Sequence, residues 1–285
     1  MTQSPIQQQT IQLVASQIPK TEKLEEMLTP FALDETLIRH LTKEEDGPFV
    51  HFWTLEDIVI LGMTDTKVPY LEQGLERLRT HGFTPVVRQA GGLAVVSNEG
   101  ILNISLLFKN KQMPTINEAY EWMQQLIQET FPEAAVLGGI QAFEVADSYC
   151  PGDYDLSIQK RKIAGIAQRR LKDVVCVSIY LSVYGDQNRR GLVVRDFYDH
   201  ALQGEETKWH FPEVNADSMW NISDALGIDL TIEDVQVRVL QALTKLGCTL
   251  EENETDFIHT PDFQKALERF VKRQQSIKKR GIKAF

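Results

Sequence analysis

A chain of 285 residues with 42% hydrophobic and 25% charged positions has the balance of an ordinary globular protein, long enough to bury a core in one large domain or two small ones. Its net charge of −10 argues against nucleic acid as a main partner, because phosphate binding draws on clustered Lys and Arg. No apolar run approaches the roughly 18 residues of a membrane span, and the polar start at Met1 lacks the pattern of a signal peptide, so a cytoplasmic protein without a membrane partner is expected.

The first 24 residues are polar and Gln-rich and read as a loosely held N-terminal arm or a late-packing helix. Apolar positions recurring through residues 25–41 predict a helix, broken at Pro30 and capped anew at Asp34. Residues 49–53 and 57–62 read as strands, and 70–81 as a helix ended by Gly82. Short strands at 84–88, 93–97 and 101–108 follow, separated by Gly91-Gly92 and by the Asn98-Glu99-Gly100 turn. A helix starting at Thr115 or Asn117 runs to residue 129, and Pro132 stops any continuation. Residues 154–158 and 163–169 form a hairpin and 174–183 a further strand. Beyond a boundary near 191–203 the chain turns helical, at 216–226, 232–245 and 261–275. Strands and helices without regular βαβ alternation predict an α+β fold with a mixed, largely antiparallel sheet and flanking helices. The expected organisation is the arm, a main domain over 25–200, and a mostly helical part over 201–285 packed on it.

Three cysteines, widely spaced, match neither a disulfide framework nor a zinc motif, and the six histidines, such as His40, His51 and His81, are scattered; no metal is expected. Cys176 sits in an apolar strand and Cys248 in an apolar context, as buried thiols do. Cys150 differs. Tyr149, Pro151, Gly152 and Asp153 make a loop around it, Pro151 biases it to an extended conformation, and a basic run from Lys160 to Arg170 follows, of the kind that favours a reactive thiolate. A straight chain would hold Lys162 roughly 30 Å from Cys150, so Pro151-Gly152 has to fold the loop back if the two meet. Lys160 and Arg161 contend for the same role. Gly91 and Gly92 fit either a tight hairpin turn or a wall where main chain closely approaches a ligand.

The motifs Arg88-Gln89-Ala90-Gly91-Gly92-Leu93-Ala94-Val95-Val96, Gly100-Ile101-Leu102-Asn103-Ile104-Ser105-Leu106, Asp155-Leu156-Ser157 and Lys162-Ile163-Ala164-Gly165-Ile166-Ala167-Gln168-Arg169 occur in that order. The chain thereby resembles the lipoate-protein ligase and octanoyltransferase family, whose fold is shared with biotin protein ligases. The resemblance implies a catalytic domain of that fold. It also implies an acyl tunnel walled by Gly91 and Gly92 with Arg88 ordering the loop, and backbone donors near Gly165 and Ala167. Leu93, Val95, Leu106 and Phe143 are open alternatives for the lining.

Within the family, a cysteine twelve residues ahead of the motif lysine resembles the branch that moves octanoyl groups through an acyl-thioester. Cys150 is then the nucleophile, and Lys162 lowers its pKa and passes protons. The wording around Cys150 is similar to enzymes that take the chain from the glycine cleavage H protein and place it on lipoyl domains of 2-oxoacid dehydrogenase complexes, without a cofactor. Two departures point away from an ATP-using ligase: Ser97 and Asn98 stand where a histidine often follows the double glycine, and the usual Arg-Arg pair is Arg88-Gln89. The alternatives are an acyl carrier protein thioester as donor, ATP-dependent lipoate ligation, and a non-catalytic binder of lipoyl domains or acyl chains. The basic tail from Val271, with Lys272, Arg273, Lys278, Lys279, Arg280 and Lys283, reads as a solvated face or a dock for an acidic partner.

Overall fold

The computed structural model describes residues 6–44, 47–109 and 114–281, with no side-chain description at 276 and 278–281. The side chains of Lys278, Lys279 and Arg280, and Lys283 as a whole, lie outside the described residues. The elements are β1 (Thr10–Ile18), α1 (Leu24–Leu41), β2 (Phe49–Leu55), β3 (Ile58–Leu61), α2 (Leu71–Thr80), β4 (Thr84–Val87), β5 (Val95–Ser97), β6 (Ile101–Lys109) and α3 (Ile116–Thr130). Then come β7 (Gln141–Ala142), β8 (Leu156–Ile158), β9 (Arg161–Leu171), β10 (Val174–Ser182), α4 (Gln187–Leu202), α5 (Ile222–Leu226), α6 (Ile232–Lys245), β11 (Thr249–Glu252) and α7 (Pro261–Gly281).

Eight strands form one sheet in the order β11-β1-β2-β6-β10-β9-β8-β7, and three form a second, β4-β3-β5. The large sheet is parallel at β11-β1-β2 and antiparallel from β2 to β7. It is the α+β, mixed and largely antiparallel architecture that the strand pattern predicts.

Period-two alternation decides which side chains enter which core. On β6, Leu102, Ile104, Leu106 and Phe108 pack with α3 and α6 on one face of the large sheet, while Leu107 joins α1 and α7 on the other. On β3, Ile58 and Ile60 face the α1–α7 side, whereas Val59 and Leu61 face α2 and α4. The small sheet thus bridges two cores, and the space between it and the large sheet holds the site. Although β2 and β3 are separated by two residues, they belong to different sheets; Asp57, at φ 52°, carries the turn.

Four expectations need correction. Residues 10–18 are not part of a loose arm: they form β1, hydrogen-bonded to β2 and β11 with Ile11 fully buried. Its partner β11 lies near the other end of the chain, and local polarity gave no sign of that pairing. α1 is continuous through Pro30, and Asp34 caps nothing; its carboxylate accepts from His51 Nδ1 at 2.8 Å and Ser105 Oγ at 2.6 Å. Burial of Leu28, Ala32, Leu33 and Leu37 outweighs the amide lost at the proline.

No boundary falls at 191–203, because α4 runs through it, capped by Asp186 and packed on α2 where Gly74 leaves room for Phe197 and Ala201. Finally, β4 and β5 do not form a hairpin around Gly91-Gly92. Each pairs with β3, one parallel and one antiparallel, so residues 88–94 cross over the end of β3.

Candidate active site

A cavity of about 340 Å³ lies between the two sheets and α1 and α7. Its lining includes Cys150, Lys162, Arg88, Gly91, Gly92, Gly165 and Ala167, so residues spread over some eighty positions of sequence meet at one place. Apolar walls come from Phe31, Trp53, Ile60, Val95, Ile179 and Phe270. Of the four lining alternatives open at the level of sequence, Val95 lines the cavity and Leu106 is buried in the opposite core.

The Cys150 loop folds back on itself. Asp155 Oδ2 accepts from Gly152 N and Val145 N, both at 3.2 Å, and Asp155 N donates to Gly152 O at 2.9 Å. The return that Pro151-Gly152 had to make is therefore closed by Asp155. Cys150 itself is not extended, as Pro151 alone suggested: its φ is 50°, in the left-handed region. Hydrogen bonds on both sides overrule the local preference. Its carbonyl accepts from Lys162 Nζ at 2.7 Å, and its Sγ accepts from Leu93 N–H at 3.1 Å.

Lys162 sits near the start of β9, which forms a hairpin with β8 through Gln159 and Lys160, both at positive φ as a two-residue turn requires. The side chain is 3% exposed. Nζ donates to Tyr149 O at 2.9 Å and Ser148 Oγ at 3.2 Å, besides Cys150 O, and pairs with Asp155 Oδ1 at 2.8 Å. Burial raises the Asp155 carboxyl above its ordinary value, against the pull of Lys162. The ammonium is thus fixed beneath the loop by main-chain and hydroxyl oxygens. Of the other contenders, Lys160 is exposed at the turn. Arg161 is engaged with Asp217 O and Met219 O at 3.0 Å each and stacks on Trp220.

Arg88 orders the glycine loop. Nε and Nη2 donate to Gly91 O at 3.1 and 3.0 Å, Nη2 to Leu93 O at 2.9 Å, and Nη1 to Ile60 O at 3.3 Å; Nη2 also lies 3.7 Å from Cys150 Sγ. Gly92 has φ 84°, and a Cβ there would meet Arg88 Nη2 at 2.7 Å and Cys150 Sγ at 3.0 Å, whereas one at Gly91 would meet open space. Gly92→Ala is expected to lower thiol alkylation and turnover by roughly tenfold or more, since small misplacements at a reacting centre are costly. Gly91→Ala has a smaller effect in the same assays. Equal losses in the two variants would contradict this account.

Gly165 and Ala167 lie on β9 past Ala164, the last of its residues to pair with β8. On that side the strand has no strand partner among the described residues, which leaves main chain free to face the cavity. Tyr149, next to Cys150, is fully buried; its hydroxyl bonds that of Tyr180 and accepts from Gln187 Nε2 at 3.1 Å. The Leu93 amide, Asp155 and this tyrosine anchor escaped the sequence reading. Asp155 alone gave a signal, as the first residue of its motif. Ser97 is buried and accepts from Asn103 Nδ2 at 3.3 Å, and Asn98 Oδ1 accepts from Arg190 Nε at 2.7 Å, so both serve the scaffold. Cys176 lines the cavity too, but burial pushes its thiol up, away from the thiolate.

Comparison with known proteins places this geometry in context. The lipoyl protein ligase A/B catalytic domain model matches residues 26–244. Octanoyl-[GcvH]:protein N-octanoyltransferase of Oceanobacillus iheyensis is 39% identical over 249 residues, covering 87% of this chain and 88% of the relative. The protein of the same name from Lysinibacillus sphaericus is 43% identical over 222 residues, 77% of this chain and 79% of the relative.

Among solved structures, the bipartite lipoate protein ligase of Thermoplasma acidophilum, studied with its E2 lipoyl domain, superimposes with a TM-score of 0.67 at 21% identity over 93% of each chain. Lipoate-protein ligase A bound with ATP gives 0.65 at 18% identity, over 93% of this chain and 95% of that one. At those identities the structures speak for the fold. With a family model that spans most of its length and relatives near 40% identity, this chain belongs to the lipoyl protein ligase A/B catalytic domain family.

Proposed function

We propose that this chain is a protein N-octanoyltransferase that takes an octanoyl group from the octanoylated glycine cleavage H protein and passes it to lysines of lipoyl domains of 2-oxoacid dehydrogenase complexes, in the cytoplasm, during lipoate biosynthesis. The observation that carries the reading is the Cys150 thiol in the wall of an apolar-lined cavity, with a backbone N–H and an arginine turned toward its sulfur. Relatives that align over most of the chain and are named as transferases of this kind support the same donor.

The chemistry runs in two halves. The Cys150 thiolate attacks the octanoyl carbonyl held as an amide on the donor lysine, and the donor amine leaves once protonated, with octanoyl retained as a thioester. The acceptor lysine's amine then attacks that thioester, an amide is remade, and the thiolate returns. Because an amide is broken and an amide formed, the exchange is near balance and needs no nucleotide. Main-chain donors near Gly165 and Ala167 stabilise the oxyanion in both halves. Lys162, fixed under the loop, supplies positive charge near the thiolate and, when one of its loop contacts is released, a proton path. An octanoyl chain gains about 0.8 kcal/mol for each methylene taken out of water, which the apolar walls supply.

The test is intact mass spectrometry after mixing the protein with octanoylated H protein in the absence of ATP. A gain of one octanoyl group, mapped to Cys150 and removed by hydroxylamine, is the expected result. Labelling only from octanoyl-acyl carrier protein would move the donor assignment; because the thioester lies uphill of the amide and need not accumulate, the transfer chemistry is overturned if neither donor labels the protein and neither leads to octanoylation of an added lipoyl domain.

A further inference from the structure

The crossing segment 88–94 presents a physical problem that the catalytic residues leave unsolved. Its two flanking strands pair with β3 and not with each other, so no ladder fixes the Leu93 amide that donates to Cys150 Sγ at 3.1 Å. Something outside the segment has to hold it. The Leu93–Ala94 peptide is gripped at both of its polar atoms. Arg88 Nη2 donates to the Leu93 carbonyl at 2.9 Å, and the Ala94 N–H donates to the Tyr198 hydroxyl at 3.3 Å. Tyr198, on α4, donates in turn to Asp65 Oδ1 at 2.8 Å, and Asp65 Oδ2 accepts from Gly62 N–H at 2.7 Å.

Both donors to Asp65 point at its carboxylate, and the group is 0% exposed. It stands outside the cavity lining, in the 3-10 turn at Asp65–Lys67 that follows β3, and takes no part in the proposed acyl transfer. Burial pushes its carboxyl up to about 6, while Tyr198, the Gly62 amide and the nearby Arg88 pull it down. A buried carboxylate is costly to keep for packing alone, and here it terminates a relay that ends at the Ala94 N–H, one peptide on from the Leu93 N–H that donates to Cys150 Sγ. Close packing reinforces the grip: a Cβ on Gly62 would stand 1.9 Å from the Gly92 carbonyl oxygen, so the end of β3 presses directly against the loop.

We propose that Tyr198 and Asp65 are positioning residues for Cys150: by holding the Ala94 N–H they set the peptide that aims the Leu93 N–H at Sγ. The inference rests on Cys150 being the nucleophile, but its test does not require octanoyl transfer, so the two can fail separately. A donor held on sulfur favours the thiolate, and a donor released to wander does so less. The groups facing the thiol whose charge could also shift its titration are Arg88 on the crossing segment, Tyr198 on α4, and Lys162 on β9 beneath the loop.

The decisive measurement is the rate of iodoacetamide alkylation of Cys150 as a function of pH, followed by peptide mass mapping so that Cys176 and Cys248 are counted apart. In Tyr198→Phe, which keeps the ring and loses the relay, alkylation at pH 7 falls by roughly tenfold and the inflection of the pH–rate curve moves upward. In Asp65→Asn, whose amide cannot accept from both donors, the curve shifts in the same direction. Curves that superimpose on the unsubstituted protein in folded variants would overturn the assignment. Should neither variant fold, amide hydrogen exchange in the unsubstituted protein decides: the Ala94 amide exchanges slowly, as a strand amide does, and exchange at an open-loop rate would overturn the proposal.

Discussion

Cys150→Ala loses octanoyl transfer by a factor on the order of 10⁴ or more, while its melting temperature stays within a few degrees of the unsubstituted protein. The asymmetry follows from what the side chain touches. Sγ accepts from the Leu93 amide and lies beside Arg88 Nη2 and Gly92, and it fills none of the three hydrophobic cores. Truncation to a methyl group therefore costs little packing, and the left-handed backbone at φ 50° is as strained for alanine as for cysteine. What disappears is the sulfur on which the proposed thioester forms. The variant should still bind the octanoylated donor, which separates chemistry from docking. The measurement is octanoylation of a lipoyl domain by mass spectrometry, alongside a thermal melt. Retained transfer in a folded Cys150→Ala protein would eliminate the thioester route and return weight to ligation or to a carrier-binding role.

Lys162→Met has two effects of different origin, and a second substitution separates them. The first is on stability. Lys162 and Asp155 form an ion pair at 2.8 Å with both side chains almost fully buried, and removing one partner leaves a charge or a costly neutral acid behind. A loss of about 3–5 kcal/mol in urea unfolding is expected. The second is on turnover. Without the ammonium, the carbonyls of Tyr149 and Cys150 lose the donor that bends the loop under the thiol, and transfer falls by roughly a hundredfold or more. Adding Asp155→Asn to Lys162→Met removes the stranded carboxylate, so stability recovers in part although transfer stays low. Full recovery of transfer in that double variant would show that the lysine serves only the fold.

Cys150 and Lys162 were legible as candidates because their motifs are local. Tyr149-Cys150-Pro151-Gly152 announces a loop thiol in any context, and the run from Lys162 to Arg169 carries a residue order that does not depend on partners. The helix start was legible to within two residues, at Thr115 or Asn117, and the structure decides for Thr115, whose side chain accepts from Glu118 N while its own N–H donates to the Glu118 carboxylate. The strands at β3 and β6 were readable as apolar runs, whereas the core each face enters became visible only with both sheets in place.

What escaped involves pairing at long range. β1 looked like a polar arm because both of its strand partners are remote, β11 some 240 residues away. α4 was taken for a boundary since its apolar positions, Val193, Val194, Phe197 and Tyr198, acquire meaning only against α2 and the small sheet. Asp34 resembled a helix cap until His51 and Ser105 were found to claim its carboxylate.

The chain's residue order by itself determined the family, the α+β class, and the candidacy of Cys150, Lys162, Arg88 and the glycine pair. The tertiary structure alone decided that Lys162 reaches the Cys150 loop where Arg161 does not, that the thiol takes its hydrogen bond from Leu93, and that Tyr198 and Asp65 stand behind that amide. The division has one physical cause. Side-chain chemistry and local periodicity are properties of the sequence, whereas a hydrogen bond between main-chain atoms of two loops exists only once both sheets have closed around the cavity.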